Sequence, residues 1–163
     1  MQIRKATIRD IDDIMPVFDA ARLFMQSTGN PHQWINGYPS KELIISNIQD
    51  EDFYLCFSGD SIVGAFYFRI GDDPTYDRIY NGLWLNDKPY GVVHRLASNG
   101  KQKRLADLCF DWCFNRVDNI RVDTHRDNKV MQSALERYGF RYCGIIYLAD
   151  GRERMAYQKS LFD

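Results

Sequence analysis

The sequence has no hydrophobic run near the ~20 residues a bilayer span needs. It has no CxxC pair among its 4 cysteines and no excess of either charge. The first absence argues against a membrane partner. The second, with Cys56, Cys109, Cys113 and Cys143 spread through apolar stretches, argues against a disulfide scaffold or a metal site. Reduced, mostly buried thiols of a cytoplasmic protein are the expectation. The third, 21 basic against 22 acidic residues, leaves no broad field for nucleic acid. With 45% apolar residues, 11 Gly and 5 Pro, the composition excludes disorder, collagen and coiled coil. Met1-Gln2-Ile3-Arg4-Lys5 opens directly into folded-looking sequence, so no targeting peptide is expected. At 163 residues the chain reads as a single domain, 1–163, able to bury a core without a staple.

What is present is a mixture of periods. Thr7-Ile8-Arg9-Asp10 fits a capping box. Ile11, Ile14, Phe18, Ala21 and Met25 then repeat at helical spacing, with Pro16 expected to kink the helix. Pro39-Ser40 caps a shorter helix carrying Leu43, Ile44 and Ile48. Phe53–Phe57 and Ile62–Ile70 read as a hairpin. The polar, aromatic-dotted stretch from Gly71 to Pro89 is too long for an ordinary connection and suggests a functional loop or lid. A strand at Gly91–Ala97, a helix after Gly100 and a strand at Ile120–His125 form a βαβ unit, which predicts a parallel pair. A helix through Met131, Leu135 and Tyr138 closes at Gly139, and a hairpin turning at Asp150-Gly151 ends the chain. The sum is an α/β fold, one mixed sheet with flanking helices.

The strand-to-helix turn Ala97-Ser98-Asn99-Gly100-Lys101-Gln102-Lys103-Arg104-Leu105-Ala106 puts three cations at a helix start. That end carries about half a positive charge, so cations are unfavourable there unless an anion sits between them and the free amides. A solvated basic turn is the plain alternative.

The order of elements, together with Val93-His94-Arg95-Leu96-Ala97-Ser98, the Lys101–Ala106 turn, Asp123-Thr124-His125-Arg126-Asp127-Asn128 and Glu136-Arg137-Tyr138-Gly139-Phe140, resembles the GNAT superfamily of acyl-CoA-dependent N-acetyltransferases. The resemblance covers essentially the whole chain, and Gly29–Trp34 with Gly37-Tyr38-Pro39 is similar to one bacterial branch. It implies acetyl transfer from acetyl-CoA, as co-substrate and without a metal, to an amine of a small molecule or peptide. A homodimer is compatible with it. The family's pyrophosphate loop, Gln/Arg-x-x-Gly-x-Gly/Ala, falls on Lys101 to Ala106, with Arg104 where the first glycine would be. The resemblance further assigns the pantetheine arm to the backbone of Leu96, Ala97 and Ser98. The phosphates go to the turn Lys101, Gln102, Lys103, Arg104, Leu105 and Ala106, and a cofactor contact to Asn128, which also reads as a plain N-cap. The family's usual thiolate acid is a tyrosine where this chain has Leu135, and Tyr138 lies about 60° away around the helix. With Arg104, that substitution keeps a second reading open, a catalytically silent acyl-CoA-binding sensor.

An amine nucleophile must lose a proton. Asp123 and His125 lie two apart on one strand, and His94 lies on its parallel neighbour. At the carboxyl ends of such strands the three are expected to converge as candidate bases, although a structural role is the commoner one for a histidine like His125. Arg121, on the same strand face, is a candidate structural partner for Asp123. Trp34 and Tyr38 are candidate walls of the acceptor site.

Overall fold

The turn before the first helix closes as its residues require. The Asp10 carboxylate reaches back to accept the Thr7 amide at 2.7 Å, and a single 3-10 turn leads into α1 (Ile11–Ser27). In the computed structural model, which describes residues 1–162, α1 runs unbroken through Pro16. It buries Ile11, Ile14, Val17, Phe18 and Ala21. Ser40 caps α2 (Lys41–Gln49) by accepting the Leu43 amide. The strands are β1 (Gln2–Lys5), β2 (Phe53–Ser58), β3 (Ser61–Ile70), β4 (Gly91–Ser98), β5 (Asn119–Thr124), β6 (Arg141–Tyr147) and β7 (Glu153–Ser160). Helices α3 (Leu105–Phe114) and α4 (Lys129–Tyr138) follow β4 and β5. Gly139 ends α4 in the left-handed conformation at φ 112°.

All seven strands join one sheet in the order β1-β2-β3-β4-β5-β7-β6. Every neighbouring pair is antiparallel except β4 and β5, the pair predicted from the βαβ pattern. Helices α3 and α4 cover one face, over Phe66, Phe68, Val93 and Val122; α1 and α2 cover Leu55, Ala65 and Ala97 on the other. Side chains alternate between faces along a strand, so β2 serves both layers, with Phe53 in one and Cys56 in the other. All four cysteines are free and buried. Cys109 and Cys113 lie on the buried face of α3, with the Cys109 sulfur 3.6 Å from that of Cys56.

Two irregularities open the middle of the sheet. The parallel ladder has only two paired positions, Gly91 with Ile120 and Val92 with Arg121, so β4 and β5 part from Val93 onward. A bulge in β4 then sets Arg95 and Leu96 opposite the single residue Phe66 of β3, with Arg95 at φ 51°. Bulges of this kind bend a strand and re-aim its side chains. The long connection from Gly71 to Pro89, for which the sequence suggested a functional loop or a lid, is packed down as a strap. Tyr76 is 1% exposed. The Leu85 amide donates to Gln158, and Arg121 donates to the Asn86 carbonyl. Gly82 lies so close to β6 that an added Cβ would sit 1.8 Å from the Cys143 carbonyl oxygen.

Candidate active site

The wedge between β4 and β5 opens into a cavity of about 260 Å³. One end is apolar, walled by Leu96, Phe110, Met131 and Leu135; the other is polar and charged. At the join stands a small network. The Tyr76 hydroxyl donates to Asp123 Oδ2 at 2.6 Å, and His94 Nε2 donates to Asp73 Oδ2 at 2.7 Å. His94 Nδ1 lies 3.8 Å from Asp123 Oδ2. A ring whose Nε2 carries the proton toward Asp73 keeps its Nδ1 lone pair on the Asp123 side in the neutral form.

Local sequence explains Asp73. It caps the short turn Pro74–Tyr76 by accepting the Thr75 amide at 2.9 Å, with proline at the first position of the turn. Burial raises its pKa, but the bonds from His94 and Thr75 outweigh burial and hold it at about 2. Asp73 is thus a fixed anion behind His94. Burial, reinforced by Asp123, pushes the Tyr76 phenol well up, so it stays a donor.

The structure therefore brings Asp123 and His94 together and leaves His125 out. Strand β5 ends at Thr124, so the two-residue alternation no longer governs position 125. His125 instead turns toward its own loop, where Nδ1 accepts the Asp127 amide at 3.0 Å. Its pKa is lowered, by burial and then by Arg154. The suggested pairing of Arg121 with Asp123 is also absent. The Arg121 guanidinium lies 4.2 Å from the Trp84 ring centroid and 4.1 Å from that of Tyr90.

Of the residues assigned to the cofactor, Leu96 lines the cavity, whereas the Ala97 side chain is buried on the opposite face beneath α1 and α2. Ser98 Oγ accepts the Gly100 amide, shaping the turn. Lys101, Lys103 and Arg104 are exposed at the start of α3, and Gln102 folds back to donate to the Lys103 carbonyl. Leu105 points into the core, leaving only its amide free. Asn128 lines the cavity as the N-cap of α4. Its oxygen accepts the Met131 amide and its nitrogen donates to Gln33. Leu135 is a buried wall residue. Tyr138 lies elsewhere, its hydroxyl donating to Asp111 at 2.6 Å.

Arg104 departs from the glycine pattern without disturbing its backbone. Its φ of 54° and ψ of 37° are those a glycine would adopt freely. Arg104→Gly is therefore expected to melt within about 2 °C of the parent or above it. The β-branched Arg104→Val is expected to lose about 1–2 kcal/mol, because its Cβ substituents meet the left-handed backbone. Equal melting of the two by calorimetry would contradict this.

Trp34 and Tyr38, the sequence's candidates for the acceptor wall, line the cavity. Reading the sequence missed Asp73, the strap's Tyr76 as a partner of Asp123, and three arginines there, Arg95, Arg152 and Arg154. The only local signal for Asp73 was its Asp-Pro cap. Among the described residues no group of His, Cys, Asp and Glu is placed to hold a metal, and no helix is long and apolar enough to cross a membrane.

No family model and no curated protein matches the sequence. Solved structures do. A GNAT-family acetyltransferase from Streptococcus agalactiae is 33% identical, with 98% of this chain and 94% of that one covered at a TM-score of 0.89. Two more distant structures share the fold. A GNAT-family acetyltransferase from Listeria monocytogenes is 19% identical, covering 98% of this chain and 94% of its own, at a TM-score of 0.69. An acetyltransferase from Thermus thermophilus is 15% identical, covering 98% and 96%, at 0.66. With a likeness of this identity running over nearly its entire length, the chain belongs to the GNAT family of acetyltransferases.

Proposed function

We propose that this protein transfers an acetyl group from acetyl-CoA to a primary amine. The observation that carries the reading is the wedge itself, with Asp123 and His94 where β4 and β5 part. The chain suits the co-substrate. From Val93 onward the β5-facing edge of β4 has no strand partner, so its backbone groups at Leu96 and Ser98 are available to the pantetheine amides. The first amides of α3, flanked by Lys101 and Lys103, are available to its phosphates.

When bound, acetyl-CoA supplies the activated acetyl group; the chain's residues orient and deprotonate the amine. Asp123 receives the ammonium through Oδ1, to which no protein group donates among the described residues. His94 takes the proton on Nδ1, directly or through a water, while Asp73 holds its other nitrogen. Orientation in the closed wedge can contribute ~7–11 kcal/mol, the larger share of the acceleration. The departing thiol has a pKa near 8.5, so Leu135 in the acid's place is bearable.

Release of free thiol from acetyl-CoA with a panel of amines tests this reading. Binding of CoA without thiol release from any amine would establish the silent sensor instead. In calorimetry, Lys101→Ala with Lys103→Ala is expected to weaken CoA binding and to flatten its salt dependence, since two cations near the phosphates are removed. Unchanged affinity at low salt would put the phosphates elsewhere.

A further inference from the structure

The polar end of the cavity holds more positive charge than the transfer reaction uses. Arg154 is 5% exposed, and no carboxylate lies within 4 Å of it among the described residues. Its guanidinium donates only to carbonyls, those of Glu153 at 2.9 Å and Gln33 at 3.2 Å. Arg95 likewise has no ion-pair partner among the described residues. It donates to the Tyr38 hydroxyl at 3.1 Å and lies 4.7 Å from the Tyr67 ring centroid, while its Nε is buried and unpartnered. Arg152 reaches Asp150 with Nε, but its Nη1 is buried and unpartnered. Burial lowers the Arg154 pKa, and Arg152 adds to the effect against the pull of Asp123. Arg154, a buried cation that bonds only carbonyl oxygens among the described residues, is costly to hold there without an anionic partner.

Building on the acetyl-transfer reading, we infer that the amine acceptor also carries a carboxylate, received by Arg154 with Arg95 and Arg152 while its ammonium meets Asp123. The cavity then shows two opposite charges to one small zwitterion: Asp123 and Asp73 on the amine side, the arginine forks on the acid side. The whole cavity is about 260 Å³ and must also take the thioester end of acetyl-CoA, which favours an amino acid over a bulky acceptor. Thr124 Oγ1, buried and unpartnered among the residues that line the cavity, is a further group open to a polar acceptor.

The experiment compares amino acids with their carboxamides, skeleton by skeleton, in thiol release from acetyl-CoA. The same pairs are also titrated calorimetrically into the CoA-saturated protein. The acid is expected to exceed its amide by at least about 30-fold in kcat/KM and in affinity, in keeping with the loss of a buried charged partner. Arg154→Gln is expected to collapse that ratio. Arg154→Lys, which keeps the charge and a donor toward Gln33 but loses the fork, is expected to reduce it, and Arg95→Gln guards against misfolding of the Arg154 variants. A dipeptide series distinguishes a free amino acid from a peptide's carboxyl terminus. Equal use and equal binding of acid and amide would overturn the inference while leaving acetyl transfer intact. Absence of thiol release with every amine would overturn the transferase reading, and the calorimetric ratio still decides the carboxylate question.

Discussion

Asp123→Asn is expected to lower turnover by ~10²–10⁴-fold, the range in which general-base proton removal contributes, because His94 can take the proton only from an ammonium held at Asp123, with the KM for acetyl-CoA nearly unchanged. The substitution keeps the shape of the side chain, and Tyr76 can still donate to the remaining oxygen. What it removes is the charge that draws the ammonium to the His94 lone pair 3.8 Å away. His94→Gln is expected to fall at least tenfold for the complementary reason, losing the acceptor itself. Asp73→Asn acts through His94: an amide can turn its NH2 toward Nε2 and favour the tautomer with the proton on Nδ1. His94→Gln should flatten the acidic limb of the pH–rate profile, and the other two should displace it, changes that a merely structural role would not produce. If Asp123→Asn and His94→Gln keep parental rates and the limb does not move, the enzyme takes neutral amine from solution and the network is structural.

Phe110→Ala is expected to cost about 3–5 kcal/mol of stability, in the range of large-to-small changes at buried aromatics. Phe110 is 1% exposed on α3, with its ring centroid 4.8 Å from Phe140 and 5.3 Å from Tyr138. Those residues end α4 and lead into β6, so the ring ties both helices to the sheet. For a chain of this size the loss corresponds to roughly 6–20 °C in melting temperature. Phe110 also walls the apolar end of the cavity, so the void adds to the wedge rather than collapsing. Phe110→Leu should restore most of the loss. A drop below about 3 °C for the alanine variant would mean that the helices are held by other contacts.

By itself the sequence determined the elements and the parallel pair. Helical spacing from Ile11 to Ala21, the Ser40 cap and the Asp150-Gly151 turn are local properties, and each appears where its residues put it. The βαβ pattern fixed the direction of β5 beside β4 because a crossover helix leaves little other choice. Periodicity also placed Asp123 and His94 near one another, since both lie on strands whose faces can be counted. Only the tertiary structure decided the rest. Counting failed at His125 because β5 stops one residue earlier and the loop offered its ring a backbone amide. Asp73 and Tyr76 sit on a strap without periodicity, and what brings them to Asp123 is the burial of Tyr76 against residues far along the chain. Arg95 joins the cavity through a bulge that depends on pairing with β3, and Arg154 through a strand that returns from the last hairpin. Long-range packing of this kind leaves no local imprint, because each residue's partner is chosen by the folded sheet and not by its neighbours in sequence.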